Sequence, residues 1–295
     1  MTFRQALALA RDRLADVNDV ENPLLESEIL LRHALEIDRA QLFMNPDKEI
    51  EPAKAALFQE WIERRFQGEP AAYIIQCREF FGLNLYVDKR VLIPRPETEL
   101  LVEEALKYIT FRGLRGISDT PHSDSLPPLT VADIGTGSGA IAICLAVLQG
   151  DPLLGIYATD ISSSALEVAA LNSQKHGVRD RIIFLKGDLL APLTSPVDLL
   201  IANLPYVKKD DFDEMPTGKF EPRTALDGGE DGLEQIYRVC RQLKGKINPG
   251  GCVLLEIGLG QSKAVSELLR SLFPDASIEM KRDLAGIERV VEMIV

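Results

Sequence analysis

The spacing of apolar residues changes character along the 295-residue chain. At the N-terminus it is helical. Thr2 with Gln5 three residues on fits a capping box, and Leu7, Leu14 and Val17 follow at near-helical spacing. Pro23 opens a second predicted helix carrying Leu24, Leu25, Ile29, Leu30 and Leu31. A third runs from about Pro52 to Phe66 and includes Trp61. Residues 1–70 therefore read as a small helical bundle whose leucine and aromatic stripes form its core. Phe81, Leu83, Leu85 and Val87 then alternate with other residues, which is the period of a strand. With Tyr73–Ile75 before them, they predict a β-hairpin linker over residues 71–90. Pro94 and Pro96 force an extended segment, and a helix follows over Leu100–Ile109. Thr110–Pro128, rich in Gly, Ser, Asp and Pro, predicts a mobile surface loop.

From Leu129 strands and helices alternate. Strands are predicted at Leu129–Ile134, Ile156–Thr159, Ile182–Leu185, Leu199–Ala202 and Cys252–Ile257. Helices are predicted at Ala140–Leu148, Ser164–Lys175, Leu233–Leu243 and Ser262–Phe273, and Ser277–Met280 with Arg289–Ile294 closes as a hairpin. This alternation predicts an α/β domain over residues 91–295 built on a parallel, doubly wound sheet.

Composition narrows the function. Hydrophobic residues make up 46%, enough for a sizeable core without metal or disulfides. The net charge of −12 argues against a protein held mainly by nucleic-acid phosphates or an anionic membrane. Cys77, Cys144, Cys240 and Cys252 are far apart and read as reduced residues of a cytoplasmic protein. No apolar run is long enough to span a bilayer, and the charged N-terminus is not a signal peptide. His33, His122 and His176 are isolated, so no metal site is expected.

The chemistry concentrates at strand ends. Asp133-Ile134-Gly135-Thr136-Gly137-Ser138-Gly139 follows the first strand of the sheet and opens a helix. Glycines there let the backbone turn sharply and lie against a ligand, and the helix N-terminus adds N–H donors. Asp160 ends the next strand at about the 20-residue distance expected of an acid that binds ribose hydroxyls. Together they predict an adenosine-bearing cofactor across the carboxyl ends of the strands. Gly135, Gly137 and Ala140 formally fit a dinucleotide fingerprint, while the D-x-G-x-G-x-G form resembles the first motif of S-adenosylmethionine-dependent methyltransferases. Asn203-Leu204-Pro205-Tyr206, at the end of a later strand, points to transfer onto a planar NH2 group. Such a nitrogen is a poor nucleophile because its lone pair is delocalised. It must be held by both N–H bonds while density builds toward the methyl donor. The Asn203 side-chain carbonyl and a backbone carbonyl beside Pro205 are suited to accept them, with Tyr206 packed against the plane.

The tetrapeptide is similar to the Asn-Pro-Pro-Tyr motif of methyltransferases acting on planar NH2 groups, which glutamine-amide and adenine enzymes share. Val91-Leu92-Ile93-Pro94-Arg95-Pro96-Glu97-Thr98-Glu99 resembles the signature of the peptide chain release factor glutamine methyltransferases. Further matches are Gly68-x-Pro70, Phe220-Glu221-Pro222, Ala225-Leu226, Gly228-Gly229-x-Asp231-Gly232-Leu233, Pro249-Gly250-Gly251 and Glu256-Ile257-Gly258. The resemblance implies a Rossmann-like class I methyltransferase fold with an N-terminal helical domain that docks the release factor. It implies transfer of a methyl group from S-adenosyl-L-methionine to the glutamine amide of the Gly-Gly-Gln motif, with no direct nucleic-acid binding. The loop Gly135–Gly139 would surround the cofactor, Asp160 would bind its ribose, and Asp188 and Leu189 would flank its adenine. Asn203, Leu204, Pro205 and Tyr206 would form the amide clamp.

The chain departs from the family pattern at three points. Leu204 replaces the first proline, and this form also occurs in rRNA adenine dimethyltransferases, so an adenine methyltransferase is the alternative. Gln76 stands where the family often has Gly, and Leu189 where an aromatic residue is common. Glu97 and Glu99 are expected to cap or orient the following helix. Arg95 reads either as an anchor for the substrate or as half of a structural salt bridge. Asp227–Asp231 reads as a flexible loop over the site.

Overall fold

The capping box at Thr2 forms: Thr2 N donates to Gln5 Oε1 at 2.9 Å, and Gln5 N to Thr2 Oγ1 at 3.3 Å. It opens α1 (Phe3–Leu14), which is followed by α2 (Pro23–Leu35), α3 (Arg39–Met44), α4 (Pro52–Phe66) and α5 (Ala71–Ile74) in a computed structural model that describes residues 1–17, 19–118, 129–150, 154–212 and 216–295. These helices, with a short segment ending at Phe220, make up the first of two compact units. Phe3, Ala6, Leu14, Leu30, Leu31, Phe58 and Ile62 are its core. Each buried Leu or Phe contributes about 1.5–3 kcal/mol by leaving water. Arg65 of α4 is also buried, and is held by Asp19 at 3.0 Å and Glu26 at 2.7 Å.

Two expectations in this region change. Tyr73–Ile75 is not a strand: Tyr73 and Ile74 belong to α5, and Ile74 packs into the helical core. The short helix α3 was not predicted. It carries one buried side chain, Leu42, too few for a readable period, and rests on a capping box between Asp38 and Gln41.

The second unit begins with a hairpin, β1 (Arg78–Phe80) paired antiparallel with β2 (Leu83–Leu85). Phe81 and Gly82 make the turn, both at positive φ. Glu99 does not cap the helix it opens; its carboxylate accepts from Phe81 N at 2.9 Å and pins this turn. That helix, α6, runs Glu99–Ser118, well into the stretch read as a loop. Its apolar face, Leu101, Val102, Ala105 and Tyr108, is buried over its first three turns. The rest of the predicted loop, 119–128, lies outside the described residues.

The remaining elements alternate as β3 (Thr130–Ile134), α7 (Ala140–Leu148), β4 (Gly155–Asp160), α8 (Ser163–Lys175), β5 (Ile182–Lys186), β6 (Val197–Ala202), α9 (Lys209–Phe212), α10 (Glu234–Gln242), β7 (Ile247–Glu256), α11 (Ser262–Leu272), β8 (Ser277–Arg282) and β9 (Glu288–Ile294). The sheet order is β5-β4-β3-β6-β7-β9-β8, parallel from β5 to β7, with β9 antiparallel to β7 and to β8. Successive residues face opposite layers. Val131, Leu199, Ile201, Cys252 and Leu254 meet α6 and α7, while Ala132, Leu200, Ala202, Val253 and Leu255 meet α10 and α11. The chain steps outward from β3 to β5 and returns to β6 on the other side of β3. The carboxyl ends of β3 and β6 are therefore the switch point of the sheet, where such folds open a crevice.

Candidate active site

Register builds the site. Ile134 pairs with Thr159 on one side and Ala202 on the other, so Gly135, Asp160 and Asn203 emerge side by side from β3, β4 and β6. Gly135 N and Thr136 N both donate to Thr159 O at 2.9 Å, which folds the glycine loop back over β4. Asp160 closes the arrangement: its Oδ2 accepts from Gly137 N at 2.9 Å and its Oδ1 from Ser162 N at 2.8 Å. Burial pushes the Asp160 carboxyl above its ordinary value, while these backbone donors favour its charged form.

A cavity of about 460 Å³ opens at this point, within the range of a small-molecule site. Of the residues expected at the site, Gly135, Gly137, Asp160, Asp188, Leu189, Asn203, Leu204 and Pro205 line it. Thr136, Ser138, Gly139 and Tyr206 do not; they lie behind its wall. Thr136 Oγ1 donates to the buried Asp133 at 2.7 Å, and Ser138 O accepts from Asn172 Nδ2 at 2.9 Å. Gly139 is the N-cap of α7, and a Cβ there would lie 2.8 Å from Ile143 Cδ1 and 3.2 Å from Ala169 Cα. Asp188 is paired with Arg238 of α10. Leu189 adopts φ 49 beside the cavity.

Does the cavity suit an adenosine-bearing cofactor? A Cβ at Gly135 would sit 3.2 Å from Leu204 Cδ2 and 3.7 Å from Asn203 O, so the absence of a side chain keeps the crevice open. A carboxylate at one wall and apolar Ile161 and Leu189 at the others supply the mix of polar and flat apolar surface that a nucleoside needs. The residues present fit such a group. Among the described residues no cluster of three or more His, Cys, Asp or Glu could hold a metal ion.

The Asn203 corner is built by residues that the sequence offered only as family matches, Thr98, Gly228, Gly232, Glu256 and Gly258, and by Gln261, which it did not single out. Asn203 Nδ2 donates to Thr98 Oγ1 at 2.9 Å, so the carboxamide oxygen is its other end, which has no hydrogen-bond partner among the described residues. Tyr206 Oη donates to Glu256 Oε1 at 3.2 Å. Gln261 Nε2 donates to Tyr206 O at 3.2 Å and to Gly232 O at 3.1 Å, and its Oε1 accepts from Gly258 N at 2.8 Å. The stretch Asp227–Asp231 borders the cavity through Asp227 and Gly229 and is joined to this corner. Gly228 N donates to Val207 O at 2.8 Å, and a Cβ on Gly228 would lie 2.8 Å from Tyr206 Cα. Arg95 is half of a structural bridge: it pairs with the buried Glu221, whose other oxygen accepts from Ile93 N at 3.1 Å. Polar residues within apolar runs, Asn172 on α8 and Glu256 at the end of β7, were the available signal.

A glycine loop after the first parallel strand, an acid after the second, and an Asn-Leu-Pro-Tyr corner at the switch point define a class I methyltransferase. The hMettl16 catalytic domain has the same fold, with a TM-score of 0.52 at 18% identity over 82% of this chain and 81% of that one. Residues 5–75 match the family described as PrmC N-terminal domain, and residues 114–205 the one described as Ribosomal protein L11 methyltransferase (PrmA). The release factor glutamine methyltransferase of Moorella thermoacetica is 40% identical over 98% of this chain and 97% of its own. That of Rhodopirellula baltica is 38% identical over 92% and 90%. The chain belongs to the release factor glutamine methyltransferase family.

Proposed function

We propose that this protein transfers a methyl group from S-adenosyl-L-methionine to the side-chain amide nitrogen of the glutamine in the Gly-Gly-Gln motif of peptide chain release factors. The observation that carries the reading is the Asn203 carboxamide at the switch point, its donor end engaged by Thr98 and its acceptor end uncommitted, in a chain related over nearly its full length to enzymes of that name. When bound, the cofactor supplies an electrophilic methyl group on a sulfonium. The glycines at 135 and 137 leave room for it, and Asp160 is the acceptor at the end of β4 suited to ribose hydroxyls.

Asn203 Oδ1 accepts one N–H of the substrate amide, and the main-chain carbonyl of Leu204, stiffened by Pro205, accepts the other. Holding both N–H bonds fixes the amide plane and lets density build on the face from which the nitrogen attacks in line. Because the clamp uses a backbone carbonyl, Leu204 in place of proline leaves it intact. Tyr206 supports the corner from behind through Glu256 and Gln261 rather than stacking on the substrate. The helical unit is the proposed docking surface for the release factor.

The test is mass spectrometry of release factor peptides after incubation with enzyme and cofactor. One added methyl on the Gly-Gly-Gln glutamine is expected. Label appearing in RNA or DNA adenine, with none in release factor, overturns the assignment.

A further inference from the structure

We propose that Glu256, acting through Thr98, fixes which end of the Asn203 carboxamide is free to accept, and is thereby a positioning residue for amide methylation. The consequence for turnover rests on the reading above; the geometry does not. Asn203 Nδ2 donates to Thr98 Oγ1 at 2.9 Å. A hydroxyl carries one proton, so Thr98, already accepting from Asn203, must direct its own proton to another acceptor. Thr98 is buried beside the Glu256 carboxyl and favours the charged form of that group. On the same carboxyl, Oε1 accepts from Tyr206 Oη at 3.2 Å, while Oε2, buried and without a hydrogen-bond partner among the described residues, is the acceptor left for the Thr98 proton.

An ionised carboxylate only accepts. It therefore draws both hydroxyl protons toward itself and polarises the row Asn203, Thr98, Glu256 in one direction, leaving Asn203 Oδ1 as the uncommitted end. A protonated carboxyl reverses the row. Thr98 then accepts from Glu256 and donates to Asn203, whose carboxamide turns over and loses its free acceptor. Of the charged and titratable groups around Glu256, the Tyr206 hydroxyl and Arg289 favour its charged form, and Glu97 opposes it. Arg289 is itself bound to Asp283 at 3.0 Å. Burial dominates and pushes the carboxyl up to about 7, so the reversal falls in an accessible pH range.

A Glu256→Gln variant tests the polarity directly. With its oxygen kept at Tyr206, its NH2 group takes the place of Oε2 and faces Thr98 as a donor. We expect kcat to fall roughly 10- to 100-fold with little change in cofactor affinity, as for a displaced positioning group. Thr98→Val should do the same and Thr98→Ser should restore most of the rate. The double variant Glu256→Gln/Thr98→Val should be no worse than the poorer single one, because both break one row. In the wild type kcat should rise with pH along a limb near 7 that Glu256→Gln lacks. A readout independent of turnover is the side-chain amide signal of Asn203 in protein labelled with 15N-asparagine, identified by its loss in Asn203→Ala. It should shift between pH 6 and pH 8 in the wild type and stay fixed in Glu256→Gln. A signal that does not move in the wild type, or Thr98→Val with kcat within about twofold of wild type, overturns the proposal. A wild-type enzyme inert toward release factor, with the Asn203 signal shifting as described, overturns the substrate reading and leaves the polarity row standing.

Discussion

Three glycines in one loop do different jobs, and replacing two of them with alanine separates cofactor contact from helix packing. Gly139 has φ +83. An L-residue there pays about 1–2 kcal/mol for the left-handed backbone. Its Cβ would also meet Ile143 Cδ1 at 2.8 Å, Ala169 Cβ at 3.1 Å and Ala169 Cα at 3.2 Å. Ile143 can change rotamer, but Ala169 Cα is backbone of α8 and can yield only if the helix moves. Overpacking of this kind costs about 1–3 kcal/mol, so Gly139→Ala should lose about 2–5 kcal/mol in all. Gly137 has φ +55, and the nearest atom to a Cβ there is Gly135 O at 4.0 Å. Only the backbone term applies, about 1–2 kcal/mol, but the new methyl stands at the cavity wall.

Urea unfolding at constant slope gives the stability difference from the midpoint, and calorimetry gives cofactor affinity. Gly139→Ala should unfold at markedly lower urea yet bind cofactor within a few-fold of wild type once folded. Gly137→Ala should stay within about 2 kcal/mol of wild type in stability and lose affinity by about tenfold or more. If Gly139→Ala unfolds within about 1 kcal/mol of wild type, or Gly137→Ala binds as well as wild type, the division of labour in the loop is wrong.

Asp133 is buried, and burial raises its carboxyl from 3.8 to about 6. The folded state thus keeps a proton that the unfolded chain has already lost, so this group's contribution to stability falls as pH rises from about 4 to about 6 and is then constant, by about 3 kcal/mol in total. Urea midpoints at pH 4.5 and 7.5 should show that slope in the wild type and its loss in Asp133→Asn; identical slopes would remove the argument. Gln76 holds φ 53, the left-handed region that favours glycine, so Gln76→Gly should gain about 0.5–1 kcal/mol in thermal unfolding despite the entropy glycine adds to the unfolded chain. Arg65→Ala should destabilise the helical unit by about 3–5 kcal/mol by leaving Asp19 and Glu26 uncompensated, and Arg65→Met should cost less only if both carboxylates can reach water.

What could be read from the chain was whatever is local. Gly135, Gly137 and Asp160 lie near one another in sequence, and a tight turn at a strand end leaves a compositional mark. The alternation of strands and helices predicted the parallel sheet, and the antiparallel pair β8–β9 followed from two short apolar runs. Long-range partners left no such mark. Thr98 and Asn203 are separated by 105 residues, and Glu221 and Ile93 by 128, yet each pair is joined by one hydrogen bond. Thr98 read as part of the Val91–Glu99 signature and Glu256 as part of a strand and of the Glu256-Ile257-Gly258 match; only the fold makes them neighbours. Tyr206 has a long-range partner of the same kind: its hydroxyl donates to Glu256, and burial pushes its pKa well up. The glycines at 113 and 116 read as the end of α6, yet the helix continues to Ser118.

The proposed choice of a primary amide follows from counting donors and acceptors at the corner. Asn203 spends its own donor on Thr98, so what it offers the cavity is a neutral carbonyl oxygen. In the proposed clamp one main-chain carbonyl beside it makes two acceptors. A primary amide nitrogen brings two coplanar N–H donors and no charge, and satisfies both. A hydroxyl brings one donor and leaves an acceptor unpaired, at about 1–3 kcal/mol, or roughly a 10- to 100-fold loss. An ammonium brings three donors and a charge, and two neutral carbonyl oxygens leave one donor and the charge unmatched. The adenine amine satisfies the same two acceptors, so the clamp alone does not separate it from glutamine. The separation must come from what brings the NH2 group to the cavity, and a chain of net charge −12 is better matched to a protein loop than to a phosphate backbone.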